Sequence, residues 1–172
     1  MLRLLVTALL IATTPACRTT NAVLIDVNME QRESLFAPVR ALEGTWILQA
    51  EEHPGEVTFT VTSGGSLVRE IMFPGTEQEM TNMYTLDGNS LVMTHYCGGG
   101  NQPTMRANAI EADRLVFEPE SVLDLREGYD HYMGGITLVF TGDDSFEQHW
   151  LSFDEKTGES ETVVFKYVRA KA

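Results

Sequence analysis

From Gly44 onward this chain alternates apolar and polar residues and is cut at short intervals by turn residues, a pattern that admits little but antiparallel strands. Val57, Phe59 and Val61 interleave with Thr58, Thr60 and Thr62, a period of two that sends one set to each face of a strand. Ser63-Gly64-Gly65 turns this segment into Ser66–Phe73, and Pro74-Gly75 turns the next into Met80–Leu86. Asp87-Gly88, a dipeptide suited to two-residue hairpin turns, leads into Ser90–Cys97. Met105–Ile110, Leu115–Glu118, Gly135–Phe140, Ser145–Phe153 and Thr162–Arg169 follow, with turns at Ala112-Asp113, Gly142-Asp143-Asp144 and Lys156-Thr157-Gly158. With Thr45–Glu51 this makes about ten strands, nearly all joined by hairpin-length links, and a meander of that size removes its edges by closing. The expected fold is all-β: a single antiparallel up-and-down β-barrel, with a two-sheet sandwich as the competing architecture. Glu30–Leu42 is the one helical stretch, with Leu35, Val39 and Leu42 on one face and Pro38 inside it. It is expected to close one end.

The N-terminus reads as an address rather than as fold. Arg3 precedes an apolar run from Leu4 to Ala12 that suits a secretory segment and is too short to span a bilayer. Thr14-Pro15-Ala16 then places small residues before Cys17. This resembles a bacterial lipoprotein signal, in which Cys17 becomes the lipidated first residue; ordinary cleavage after Ala16 is the alternative. Both export the protein, to the bacterial cell envelope facing the periplasm or to the medium. The organisation expected is a signal peptide at 1–16, a tether at 17–29 and one barrel domain at 30–172.

Without residues 1–16 the chain keeps 11 Lys+Arg against 25 Asp+Glu, a formal charge of −14. Such a surface repels nucleic acid and anionic membrane. With Cys17 lipidated, Cys97 has no partner in the chain.

Chemistry-bearing residues converge in one stretch, Met93-Thr94-His95-Tyr96-Cys97-Gly98-Gly99-Gly100-Asn101-Gln102-Pro103. Leu91, Met93, His95 and Cys97 share a strand face, which we place inward. A barrel of about ten strands is expected to hold an interior cavity, lined here by His95 and Cys97 near the end where the glycines open the chain. The glycines form no phosphate loop, because no Lys-Ser/Thr and no helix follow. A metal site needs further ligands beside His95 and Cys97, the candidates being His131 and His149. A Cys97–His95 nucleophile pair lacks a third residue to orient the histidine, and no catalytic residue is assigned. Residues 119–134 form the longest connection, in which Tyr129, His131 and Tyr132 are placed to line a mouth. Arg69 and Arg106 are candidates for an inward arginine that binds a ligand carboxylate.

Leu42-Glu43-Gly44-Thr45-Trp46 resembles the Gly-x-Trp opening of lipocalin-like proteins, where the first strand follows a short helix. Thr94-His95-Tyr96-Cys97 through Asn101-Gln102-Pro103-Thr104-Met105 is similar to a segment of an uncharacterised bacterial lipocalin-like domain family. Members of that family often carry arginine before the methionine, where this chain has Thr104. The resemblance spans roughly residues 40–169 and implies a lipocalin- or fatty-acid-binding-protein-like barrel. Similar barrels bind apolar ligands, or haem through a histidine, but fold likeness does not carry function across. The expectation is non-catalytic binding of a small hydrophobic or amphipathic molecule in the barrel by Met93, His95, Cys97, Arg106, Tyr129 and His131. Two other readings stay open: a haem- or metal-binding barrel using His95, and an envelope structural or interaction lipoprotein whose barrel is filled by its own side chains.

Overall fold

The computed structural model describes residues 26–50, 55–126, 128 and 130–171. The expected signal peptide, Cys17 and Tyr129 lie outside the described residues.

Helix α1 (Met29–Arg40) starts at Asn28, whose side chain accepts the Gln31 backbone N–H at 3.1 Å and so pairs one of the free donors of the first turn. Eleven strands follow: β1 (Gly44–Leu48), β2 (Glu56–Thr62), β3 (Leu67–Met72), β4 (Met80–Asp87), β5 (Ser90–Tyr96), β6 (Gln102–Ala107), β7 (Ile110–Glu111), β8 (Arg114–Leu123), β9 (His131–Gly142), β10 (Ser145–Asp154) and β11 (Ser160–Arg169). Ten of them form a closed antiparallel barrel. The β1–β11 pairing (Trp46 opposite Arg169) and the β6–β8 pairing (Arg106 opposite Glu118) close the ring, while β7 is a two-residue spur on β8. Closure rules out the sandwich and leaves no long free edge.

Two expected boundaries move. The link read at 119–134 shrinks to 124–130, because β8 runs through Pro119 to Leu123 and β9 begins at His131. Pro119 is tolerated beside a register shift, where Met105 faces Pro119 and Thr104 faces Ser121; a bulge there relaxes the ladder that proline cannot serve. Another register shift lies at Gly134, between the pairs Leu151–Gly135 and Ser152–Met133. A Cβ at Gly134 would stand 2.6 Å from the Phe153 ring and 3.0 Å from that of Tyr132, so only glycine fits against this stacked pair.

The two ends of the barrel differ. At one end α1 buries Leu35, Phe36 and Val39 against the strands. Arg169, with its guanidinium 4.1 Å above the Trp46 ring, donates to the carbonyls of Ala41 and Glu43 after the helix. Trp46 Nε1 donates to Leu42 O at 2.7 Å. The α1 start is tied to the β4–β5 turn by Asn28 N–H to Asn89 Oδ1 at 2.7 Å. This end is capped. The opposite end carries the β5–β6, β8–β9 and β10–β11 links and has no helix over it among the described residues.

Large side chains fill the inside. Trp46, Phe59, Tyr84, Phe117, Phe146 and Trp150 are all buried, and Trp46 meets Phe146 edge-on at 4.8 Å. The cavity expected behind Met93 is occupied: Met93, Met105 and Tyr84 expose 0 % of their surface, so no water-sized void lines them. The alternation marks two faces on each strand but does not say how completely aromatic rings fill the inner one.

Trp46 joins the cap to the core, so Trp46→Ala is expected to lower unfolding stability by about 3–5 kcal/mol. Urea denaturation followed by circular dichroism is the check; a loss under about 1 kcal/mol would mean that the cap is not coupled to the barrel.

Candidate functional site

Hydrophobic packing does not account for everything inside the barrel. Glu70, Asn82, His95 and Gln148, from β3, β4, β5 and β10, are 0–1 % exposed. Their inward direction follows from strand parity: Glu70 lies between buried Val68 and Met72, and Gln148 between buried Phe146 and Trp150. The Glu70 carboxyl receives three side-chain donors: Tyr84 O–H at 2.6 Å and Asn82 Nδ2 at 2.8 Å on Oε2, and Gln148 Nε2 at 2.7 Å on Oε1. Gln148 Oε1 in turn accepts from Trp150 Nε1 at 3.2 Å. Burial pushes the Glu70 pKa above its ordinary value, and the hydrogen bonds from Tyr84, Gln148 and Asn82 oppose that rise.

The chain of bonds continues to His95, whose Nδ1 lies 2.6 Å from Asn82 Oδ1. Since the Asn82 amide nitrogen donates to Glu70, its oxygen is the acceptor and Nδ1 of His95 carries the hydrogen. Burial lowers the His95 pKa to about 4, so the ring is neutral at pH 7 and Nε2 is a bare lone pair. That atom has no hydrogen-bond partner among the described residues, and neither do Asn101 Oδ1 and Tyr167 Oη. The His95 ring packs against Trp150 at 5.0 Å between centroids, and His95 is 1 % exposed. A haem would need an open slot beside Nε2, and these side chains fill it.

Above His95 the chain leaves β5 and turns. Cys97 N–H bonds Asn101 O, Gly100 N–H bonds Cys97 O, and Gly100 takes φ +92°, a left-handed value that favours glycine. The half-buried Cys97 accepts the Gly99 N–H on Sγ at 3.5 Å. Asn101, 1 % exposed, donates Nδ2 to the His131 carbonyl at 3.1 Å, which ties this turn to the start of β9. Around the point that a Gly99 Cβ would occupy stand Cys97 Sγ, His131 O and Asn101 Nδ2, each at 3.7–3.8 Å.

Beside this turn, at the open end, lies a groove of about 510 Å³ lined by His131, Ser152, Asp154, Glu159, Ser160 and Glu161. Ser152 is the next inward residue after Trp150 on β10, so the groove sits one layer above the His95–Trp150 contact. Asp154 accepts the backbone N–H groups of Lys156 and Thr157, which hold its pKa below the ordinary carboxylate value.

The residues expected from the sequence are therefore spread over three places. Met93 and His95 are interior; Cys97 and His131 meet at the open end. Arg106 does not line the barrel: it faces outward, because Met105 and Ala107 take the inward positions of β6, and it pairs with Asp87 at 2.9 Å and Glu120 at 2.8 Å. Arg69 also faces out, and its neighbour Glu70 points in. His149 lies on the outer face of β10 against Glu147 at 2.7 Å, away from His95. Among the described residues no three His, Cys, Asp or Glu side chains are arranged to hold a metal ion. Sequence reasoning missed Glu70, Asn82 and Gln148, and it singled out the stretch that holds Asn101 without giving that residue a role. Parity could have found Glu70, which is paired across the β2–β3 hairpin with buried Phe59.

His95 gives this interior a pH signature. The unfolded chain takes up the histidine proton near its ordinary 6.5, whereas the folded chain withholds it down to about 4. The contribution is complete above pH 6.5 and is lost as pH falls through that window, on the order of 3 kcal/mol in all. Glu70, raised by burial from 4.5, acts in the opposite sense, losing stability as pH rises above 4.5, and does so in any His95 variant too. The stability difference between the protein and His95→Gln is thus expected to shrink between pH 7 and pH 4.5 in chemical denaturation. A difference that does not change with pH would show that His95 is not buried neutral.

No protein-family model matches this sequence, and no curated protein does. Among solved structures the chain is similar to a protein of unknown function from the DUF3598 family of Nostoc punctiforme, at 12 % identity and a TM-score of 0.40. The match covers 77 % of this chain and 48 % of that one, so this chain spans about half the length of that structure. A likeness of this size says nothing about ligand or reaction.

Proposed function

We propose that this chain is an exported, non-catalytic binding protein that takes a small amphipathic molecule at the open end of its barrel. One observation carries the reading: the interior around Met93 and His95 is filled, while a groove of about 510 Å³ remains at the open end, inside the size range of small-molecule sites. The ligand then rests on the barrel's own packed core, with the β5–β6 turn and the start of β9 as walls. The reading includes export, with Cys17 as a lipid anchor.

The filled interior also favours the reading of a structural or interaction barrel that binds no small molecule, and one experiment separates the two. Ser160 is an exposed groove residue at the start of β11, so Ser160→Trp blocks the groove without touching the core. Native mass spectrometry of the purified protein is expected to find a bound small molecule that is lost in Ser160→Trp and kept in Met93→Leu. Absence of any bound species, together with an unchanged spectrum for Ser160→Trp across a screen of fatty acids, amines and sugars, would leave the structural reading.

A further inference from the structure

We infer that the edge of β11 at the open end takes up one extended peptide strand, antiparallel, whose residues follow the order apolar-x-apolar-x-basic. This surface borders the groove through Ser160 and Glu161 but does not depend on a small molecule being bound there. β11 outruns its neighbour. β1 pairs with it only from Tyr167 to Arg169, and the last bond on that side runs from Gln49 N–H to Lys166 O at 2.8 Å. At that level the chain is already returning toward β2, since Leu48 N–H bonds Gly55 O. From Ser160 to Phe165 the other side of β11 stays paired with β10, Gln148 opposite Phe165 and Phe153 opposite Ser160, without a register shift.

Strand geometry says which backbone groups this leaves over. Alternate residues of a strand send their N–H and C=O groups to opposite sides. Ala170 N–H and Lys166 O bond Thr45 and Gln49 on the β1 side, whereas Arg169 N–H and Glu159 O bond Asp144 and Asp154 on the β10 side. Even-numbered residues therefore face the lane that β1 vacates, and Ser160, Thr162 and Val164 direct their N–H and C=O groups into it. Among the described residues no backbone group pairs with them there. Such a row of donors and acceptors is a template for a further strand. All three residues are exposed, and from Ser160 to Phe165 there is no proline, lysine or bulge to blunt the edge.

The side chains name the occupant. Glu161, Val163 and Phe165 take the inward face of β11, opposite Ser152, Trp150 and Gln148. Val163 and Phe165 are only half-buried, and the Phe73 ring, which meets Phe165 edge-on at 6.0 Å, extends the apolar floor beside the lane. A strand in the lane sets its own inward side chains against these three. Running antiparallel, it meets Phe165 first, then Val163, then Glu161, which calls for two apolar residues followed by a basic one, each separated by one uncommitted residue. A second copy of this chain is disfavoured as the occupant, because its net charge of −13 has the wrong sign and an inward charge such as Glu161 guards an edge against self-pairing.

NMR titration of the isotope-labelled protein with the end-capped peptide Val-Thr-Val-Thr-Lys reads this directly. Saturable binding is expected, with the largest amide shifts at Ser160, Thr162 and Val164. The same peptide N-methylated on both threonines keeps every side chain and the charge but loses the N–H groups that face β11, and is expected not to bind. Exchange of its lysine for glutamate is expected to weaken binding roughly tenfold, and Glu161→Lys, at an exposed position, to restore the affinity of that glutamate peptide. Equal binding of the N-methylated peptide, equal affinity of the lysine and glutamate peptides, shifts centred away from β11, or no saturable binding of the parent peptide would each overturn the inference. None of these outcomes touches the groove, whose small-molecule reading stands or falls with Ser160→Trp.

Discussion

The Glu70 carboxyl, buried in the middle of the barrel, is the group around which the rest of the interior is arranged. A carboxyl out of water is tolerated only when its lone pairs are met by donors. Here the donors come from Tyr84, Asn82 and Gln148 on two other strands, so β3, β4 and β10 are held in one register by a polar contact as well as by packing. The bonds pass on through Asn82 to His95 and through Gln148 to Trp150. Loss of one member strands the others, which makes the network a source of specificity for one arrangement of the core more than a source of net stability.

This arrangement moves the functional question from the inside of the barrel to its end. Barrels of this strand number are often containers, yet here Trp150, Phe117, Met93 and Met105 meet around the polar network with no exposed surface to speak of. The capped end is closed by α1 and by Arg169, which reaches from the last strand over Trp46 to the carbonyls after the helix. Among the described residues the opposite end combines open volume with a polar lining, and it is where the Cys97–Asn101 turn and His131 are brought together by the Asn101 amide.

The architecture was readable because alternation is a local signal. The Val57-Phe59-Val61 stripe, the Asp87-Gly88 hairpin and the Leu35–Val39 helix face each state their structure within a few residues, and the stretch from His95 to Asn101 stood out as the place where chemistry gathers. What the sequence hid depends on contacts distant in the chain. Leu67 and Ile71 look like the inward face of β3, but their partial burial is on the outside and the charged Glu70 takes the interior, because Tyr84 and Gln148 arrive from far away to receive it. Arg106 looked like an interior cation until Asp87 and Glu120 were placed beside it on the outer wall. The acids of the groove come from the two sides of the β10–β11 link and resemble any solvated turn in an acidic chain; the β9–β10 pairing sets Asp154 opposite His131.

The central claim is that a continuous set of hydrogen bonds from Glu70 through Asn82 fixes His95 neutral, with its hydrogen on Nδ1 and its Nε2 lone pair bare, beneath the open end. Long-range proton–nitrogen NMR correlation of the histidine rings at pH 7, with His95 assigned by substitution, measures this directly. The account predicts a protonated Nδ1 and an unprotonated Nε2 for His95. A ring protonated on Nε2, or an imidazolium at that pH, would contradict it.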